Sequence, residues 1–147
     1  MKKHALMAVT MLSLVMVAVT SVNAQSSSRF IKVTIPFDFA IRDKTLPAGE
    51  YIVRRASSVK PEALLITSVD GGSVYILTSD VRAMTAQSES KLVFRQYGDR
   101  YFLSQIWTAE DNLGRELLKS HRERAREREM ARDTTKRQTV TLIAHRK

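Results

Sequence analysis

The segment KLVFRQYGDRYFLSQIW, residues 91–107, decides the fold of this chain. Two runs of alternating residues, 91–97 and 100–107, flank Gly98 and Asp99. Glycine at the first position of a two-residue loop favours a type II′ turn, because that position requires a positive φ. The segment therefore predicts an antiparallel β-hairpin with two long strands.

This turn would fix the register of the hairpin and the face on which each side chain lies. The expected cross-strand pairs are Tyr97 with Arg100, Phe94 with Leu103, and Leu92 with Gln105. One face is expected in the core and contains Leu92, Phe94, Gln96, Tyr101, Leu103, Gln105 and Trp107. The other face is apolar only in patches, so we expect it to be partly covered.

The chain before the hairpin has the pattern of short strands joined by tight turns. Residues 31–41 alternate without interruption and predict one half-buried strand, with an edge or a bulge where Pro36 lacks a backbone donor. LPAG at residues 46–49 predicts a turn before a strand at 50–55. The DGG triplet at residues 70–72 predicts a second hairpin.

Residues 119–138 are rich in Arg and Glu and contain neither Gly nor Pro, which predicts a charged, basic helix. Ser120 is expected to be its N-cap, with Glu123 completing a capping box. Few apolar residues are available for a buried stripe, so the helix is expected to be mostly solvated. Residues 139–147 are expected to form a terminal strand that docks on the sheet, followed by a short tail.

Together these patterns predict a mainly β domain over residues 25–118, built as a small antiparallel barrel or sandwich of about seven or eight strands. The first 24 residues are predicted to be a signal peptide, because two lysines precede a long apolar run that ends in VNA at residues 22–24. We expect cleavage between Ala24 and Gln25 and a periplasmic or extracellular protein with no membrane span after cleavage. A retained transmembrane anchor is the alternative.

The formal net charge of +9 is distributed unevenly. Residues 25–118 contain 12 basic and 11 acidic residues, whereas residues 119–147 contain 10 basic and 4 acidic residues. The expected partner is therefore an anionic envelope surface or an acidic protein that meets the basic C-terminal segment. Nucleic acid is not expected as a partner, because export separates the protein from it.

Two groups of residues are candidates for binding. Near the hairpin turn, arginines beside aromatic rings suit a sugar, an aromatic ligand or an anion: Arg95, Tyr97, Arg100 and Tyr101. The alternative there is that both tyrosines pack on the sheet while Asp99 pairs with an arginine. In the predicted helix the candidates are Arg122, Arg124, Arg126 and Arg128. The alternative for the helix is that its charges pair with one another.

The sequence carries no recognisable signature of catalysis, metal binding or cofactor binding. His4, His121 and His145 are far from any triad or metal-ligand pattern, and the absence of cysteine excludes disulfides and thiolate chemistry. We expect no enzyme activity, no cofactor and no metal. The leading interpretation is a non-enzymatic cell-envelope or extracellular binding or structural domain with a basic tail. The alternatives are a small barrel that carries a hydrophobic or aromatic ligand, and a carboxylate-dependent hydrolase.

The chain also resembles a family of small, functionally uncharacterised exported proteins common in Acidobacteria and other soil bacteria. The resemblance lies in IPFDF at residues 35–39, LPAGEYIV at 46–53, the hairpin at 91–107 and GREL at 114–117. It extends over most of residues 25–147, including the basic helix and TVTL at 139–142. The resemblance implies a secreted β-rich domain and assigns no catalytic or binding residue.

Overall fold

The computed structural model describes residues 30–57, 59–60, 62–132 and 138–144. The predicted signal peptide and its cleavage site, Ala24 and Gln25, lie outside the described residues. The described elements are β1 (Ile31–Ile35), β2 (Phe39–Ile41), β3 (Lys44–Leu46), β4 (Gly49–Arg55), β5 (Ala63–Ser68), β6 (Ser73–Leu77), β7 (Ser79–Arg82), β8 (Lys91–Tyr97), β9 (Arg100–Trp107), β10 (Leu113–Glu116), α1 (His121–Arg132) and β11 (Gln138–Ile143).

These eleven described strands form two sheets, which confirms the mainly β class. The first sheet has the order β1-β4-β5-β6, and the second has the order β11-β8-β9-β10-β7. In the second sheet, β2 pairs in parallel with the first part of β9, and β3 pairs with β2. The sheets are not closed into a barrel, and the arrangement is sandwich-like. There are more strands than expected because β3, β7 and β10 are too short to produce an alternating pattern.

The main core lies between the two sheets and receives side chains from both. Phe39 is at its centre, with edge-to-face contacts to Tyr51 (ring centroids 5.1 Å apart) and to Phe94 (5.6 Å). All three rings are no more than 1% exposed. Their burial supplies much of the apolar contact that holds the sheets together.

The prediction of one strand over residues 31–41 is wrong. β1 ends at Ile35 in the first sheet, and β2 begins at Phe39 in the second sheet. Pro36 lacks the N–H needed to extend the ladder, so the chain changes sheets at this point. The apolar alternation continues across the break because both strands direct alternate residues into the same core.

The β8–β9 hairpin has the predicted turn. Gly98 has a φ of 64°, and Tyr97 lies opposite Arg100. Phe94 lies opposite Leu103, which confirms the register near the turn. The sequence therefore predicted this half of the hairpin correctly.

Beyond this point the predicted register is wrong, because the pairing shifts at a β-bulge. Ser104 is an extra residue in β9, and its hydroxyl donates to the carbonyl oxygen of Val93 at 2.9 Å. Leu92 consequently lies opposite Ile106 rather than Gln105. An extra residue in one strand exchanges the faces of all the residues that follow it.

This exchange changes the surroundings of the last residues of β9. Ile106 joins the main core. Trp107, which was expected on the core face, is buried against Gly114, where a Cβ added to the glycine would come within 2.7 Å of the indole ring. The indole Nε1 donates to Oε1 of Gln105 at 3.1 Å.

The helix α1 begins directly after Ser120, whose hydroxyl accepts the N–H of Glu123 at 3.1 Å. This contact confirms Ser120 as the N-cap. The helix is more covered than expected, because Glu123 and Met130 are buried. Met130 packs with Tyr97 and Phe102 in a second apolar cluster, which also covers the other face of the hairpin.

The strand β11 pairs with β8 over its whole length and forms an edge of the second sheet, as expected for a terminal strand that docks back on the domain. Ala144, directly after it, is buried. Gln138 belongs to this strand rather than to the preceding helix. Residues 133–137 and 145–147, including His145, lie outside the described residues. In the described part of the chain, no helix is both long enough and apolar enough to cross a membrane.

Candidate functional site

The helix α1 is attached to the hairpin by a buried polar network of Arg95, Tyr97 and Glu123, called here the Glu123 network. Nε of Arg95 donates to Oε1 of Glu123 at 2.6 Å, and the hydroxyl of Tyr97 donates to the same oxygen at 3.2 Å. Nη2 of Arg95 also donates to the carbonyl oxygen of Leu117 at 3.3 Å. The carboxylate thus joins the first turn of the helix to the end of β8.

The network is well shielded from water. The Arg95 and Glu123 side chains are 14% and 3% exposed. Burial, reinforced by the negative charge of Glu123, raises the pKa of Tyr97 to about 12. Tyr97 therefore remains protonated at neutral pH and donates its hydrogen bond to the carboxylate.

The four candidates near the hairpin turn have different surroundings. Arg95 and Tyr97 lie beneath the helix, in the Glu123 network. Tyr101 stacks on Phe37, with ring centroids 3.9 Å apart. Arg100 is exposed beside the turn. The structure thus places the first two against the helix and leaves Arg100 as the exposed cation of the group.

The candidates on the helix fall on two sides. Arg122 and Arg126 lie towards the second sheet: Nη1 of Arg122 donates to the carbonyl oxygen of Asp43 at 2.9 Å. Arg126 pairs with Asp99 at 3.6 Å and with Glu129 at 3.1 Å. The pairing of Asp99 with an arginine agrees with the alternative considered for the turn.

Arg124 and Arg128 lie on the outer side and are exposed, as is Arg132. We call these three residues the basic ridge. Residues four apart on a helix are separated by about 6 Å along the axis and about 40° around it, so the three side chains form one row. None of the three forms an ion pair with another described residue. Arg132 was not among the sequence candidates, although its spacing from Arg128 repeats that between Arg124 and Arg128.

The sequence also failed to identify the Glu123 network. Glu123 stands three residues after Ser120, a spacing that was interpreted as a capping box. The hydroxyl of Ser120 accepts the backbone N–H of Glu123, as in a capping box. The carboxylate of Glu123, however, accepts hydrogen bonds from Arg95 and Tyr97 of the sheet. Only the folded chain brings Arg95 and Tyr97, some 26 to 28 positions earlier, next to it.

Beside the helix is an open cleft of about 470 Å³. One wall is formed by α1, and the opposite wall by β2, β3 and the start of β9. Arg100, Arg122 and Arg126 all line it. The structure thus brings together one candidate from the hairpin and two from the helix.

Comparison of the chain with protein-family models, with curated proteins and with solved structures found no match. Among the described residues, no group of three or more histidine, aspartate or glutamate side chains is arranged to hold a metal ion.

Proposed function

We propose that this chain is an exported, non-enzymatic binding domain that attaches to an anionic lipid surface through the basic ridge. The observation that carries the proposal is the exposure of Arg124, Arg128 and Arg132 along one row, with no ion pair to a described carboxylate. Nε of Arg128 donates to the backbone carbonyl oxygen of Arg124 at 3.2 Å, which does not neutralise its charge. Guanidinium groups without a carboxylate partner remain available to phosphate groups.

The orientation of the ridge is fixed by the opposite side of the helix. Met130 packs on the second sheet, and Glu123 is held by Arg95 and Tyr97. Contacts at both ends of the helix prevent its rotation about its own axis. The ridge is therefore held away from the sheet, so that its three charges reach a surface without reorganisation.

The chemistry of the ridge favours a lipid surface over an acidic protein. Stable protein interfaces usually contain a core of aromatic or large apolar side chains. The exposed positions of the helix carry no large apolar side chain, and the apolar residue among them is Ala131. The apolar Met130 faces the sheet, so the helix has no free apolar face to insert into the bilayer. We therefore expect peripheral attachment to phosphate headgroups.

The decisive experiment is co-sedimentation of residues 25–147 with phosphatidylglycerol–phosphatidylcholine vesicles and with phosphatidylcholine vesicles alone. Each arginine near an anionic surface contributes about 1 kcal/mol, so Arg124→Gln/Arg128→Gln/Arg132→Gln should weaken partitioning by about 100-fold. Arg54→Gln/Lys60→Gln/Arg82→Gln is the matched control, because it removes three charges from exposed positions elsewhere. The control should reduce binding much less.

Equal losses in the two triple variants would contradict the proposal, since net charge rather than the ridge would then explain binding. Retention on immobilised polyglutamate without vesicle binding would also contradict it, and would indicate an acidic protein partner. Export is tested separately by the mass of the protein secreted from a bacterial host. The proposal requires a chain that begins at Gln25, whereas an intact N-terminus would contradict export.

A further inference from the structure

The cleft beside α1 is a second site whose chemistry differs from that of the basic ridge. Its volume of about 470 Å³ is in the range of small-molecule sites. Its floor includes Ala40 and Phe102, and Ala125 projects from the helix. Three strands and one helix thus line a partly apolar space that opens to solvent.

The cleft contains positive charges that lack a carboxylate partner among the described residues. The Arg100 side chain is exposed, and its guanidinium forms no ion pair or hydrogen bond with a described residue. Arg122 donates only to a backbone carbonyl, that of Asp43, which leaves its charge unneutralised. These two guanidinium groups approach the cleft from the hairpin and from the helix respectively.

Two of the three acidic residues that line the cleft pair with an arginine. Asp99 and Glu129 both pair with Arg126. Oδ1 of Asp38 accepts the N–H of Ala48 at 2.9 Å. This contact to a backbone N–H leaves the charge of Asp38 unneutralised, so the lining groups without a charged partner among the described residues are the guanidinium groups of Arg100 and Arg122 and this one carboxylate.

Arg126 also lines the cleft, but its Nη1 and Nη2 pair with Glu129 and Asp99. Its Nε is buried, and it has no hydrogen-bond partner among the described residues. An atom that water cannot reach is equally closed to a ligand in the cleft, so this N–H is not a donor to such a ligand. This third guanidinium lies in the same cleft as Arg100 and Arg122.

We propose that the cleft binds a small organic acid whose carboxylate is held by Arg100 and Arg122 and whose apolar body lies against Ala40 and Ala125. The apolar part of the lining distinguishes this ligand from an inorganic anion. The site does not require the basic ridge, so the proposal is independent of attachment to lipid.

The test is a titration of isotope-labelled residues 25–147 with phenylacetate, followed by amide chemical shifts, with phenylacetamide as the uncharged matched probe. We expect saturable shifts centred on Ala40 and Ala125 and at least tenfold weaker binding of the amide, because hydrogen bonds to charged groups are the stronger ones.

Arg100→Gln/Arg122→Gln should weaken phenylacetate binding by at least tenfold, while Arg54→Gln/Arg82→Gln should leave it unchanged. Both variants alter exposed residues, and an unchanged melting temperature shows that each is folded. The ridge triple variant should bind phenylacetate normally, which separates this proposal from the lipid proposal. Equal binding of acid and amide, full affinity in Arg100→Gln/Arg122→Gln, or the absence of saturable shifts in the cleft would overturn the proposal.

Discussion

Glu123 is the residue on which the placement of the helix most depends. Its carboxylate accepts hydrogen bonds from Arg95 and Tyr97 in a buried site. A buried charge is tolerated only when it is paired and hydrogen-bonded, and this one meets both conditions. Loss of the carboxylate would leave the largely buried guanidinium of Arg95 without its charged partner, which would destabilise the fold.

Replacing Glu123 with Gln should lower the free energy of unfolding by about 2–3 kcal/mol, since hydrogen bonds to a charged group are lost and Arg95 is left unpaired. Chemical denaturation is the appropriate measurement. Glu129→Gln is the control, because Glu129 makes an exposed i,i+3 pair with Arg126 and should contribute only about 0.3 kcal/mol. Similar losses in the two variants would show that Glu123 does not anchor the helix.

Tyr97 should make stability depend on pH in the alkaline range. Its pKa is raised from 10.0 to about 12 by burial and by Glu123, so the folded state favours the protonated form. The resulting stabilisation is complete below about pH 10 and is lost as the pH rises towards about 12. Between about pH 9 and about pH 11, the free energy of unfolding of the native chain should fall by about 1 kcal/mol more than that of Tyr97→Phe. Denaturation curves with the same pH dependence in both proteins would refute this assignment.

At the scale of strands, the sequence predicted the turn-proximal half of the β8–β9 hairpin and not the rest. Gly98 fixes the turn through local backbone geometry, which a sequence pattern can reveal. The bulge at Ser104 depends on how β9 meets its neighbours, and a serine between Leu103 and Gln105 gives no signal of it. The consequence is large, because Ile106 and Trp107 change faces.

The change of sheet at Pro36 was also not predictable from the alternating sequence pattern. The proline indicated a local irregularity, but the alternation of apolar residues concealed the change of sheet, because both sheets share one core. The candidate site was likewise only partly predictable from the sequence. The spacing of the arginines places Arg124 and Arg128 on one side of a helix, but only tertiary packing determines that this side faces outward.

The contact between β9 and β10 requires a glycine. A Cβ at Gly114 would lie 2.7 Å from the ring of Trp107, so Gly114→Ala should lower stability by about 1–3 kcal/mol and alter the tryptophan fluorescence. Gly49→Ala is the control, because the nearest atom to its added Cβ, Cε2 of Tyr51, is 3.8 Å away. If both variants were as stable as the native chain, the close packing of Trp107 on Gly114 would be incorrect.

At the scale of the whole molecule, the β-sandwich and the helix α1 differ in charge. The β-sandwich is nearly neutral, with 12 basic and 11 acidic residues in 25–118, and supplies the support on which α1 is fixed. The helix places the basic ridge on its outer side and two further arginines on the cleft. Most of the net charge of the chain therefore belongs to residues 119–147 rather than to the β-sandwich.

The most direct test of this account is the partitioning of residues 25–147 onto phosphatidylglycerol vesicles over a salt series, measured beside the ridge triple variant. Attachment through exposed arginines is screened by salt, since the Debye length falls from about 10 Å at about 0.1 M to about 3 Å at about 1 M. The account predicts strong partitioning of the native chain at low salt that declines steeply, and weak partitioning of the variant with little dependence on salt. Equal partitioning of the two proteins at every salt concentration would contradict it.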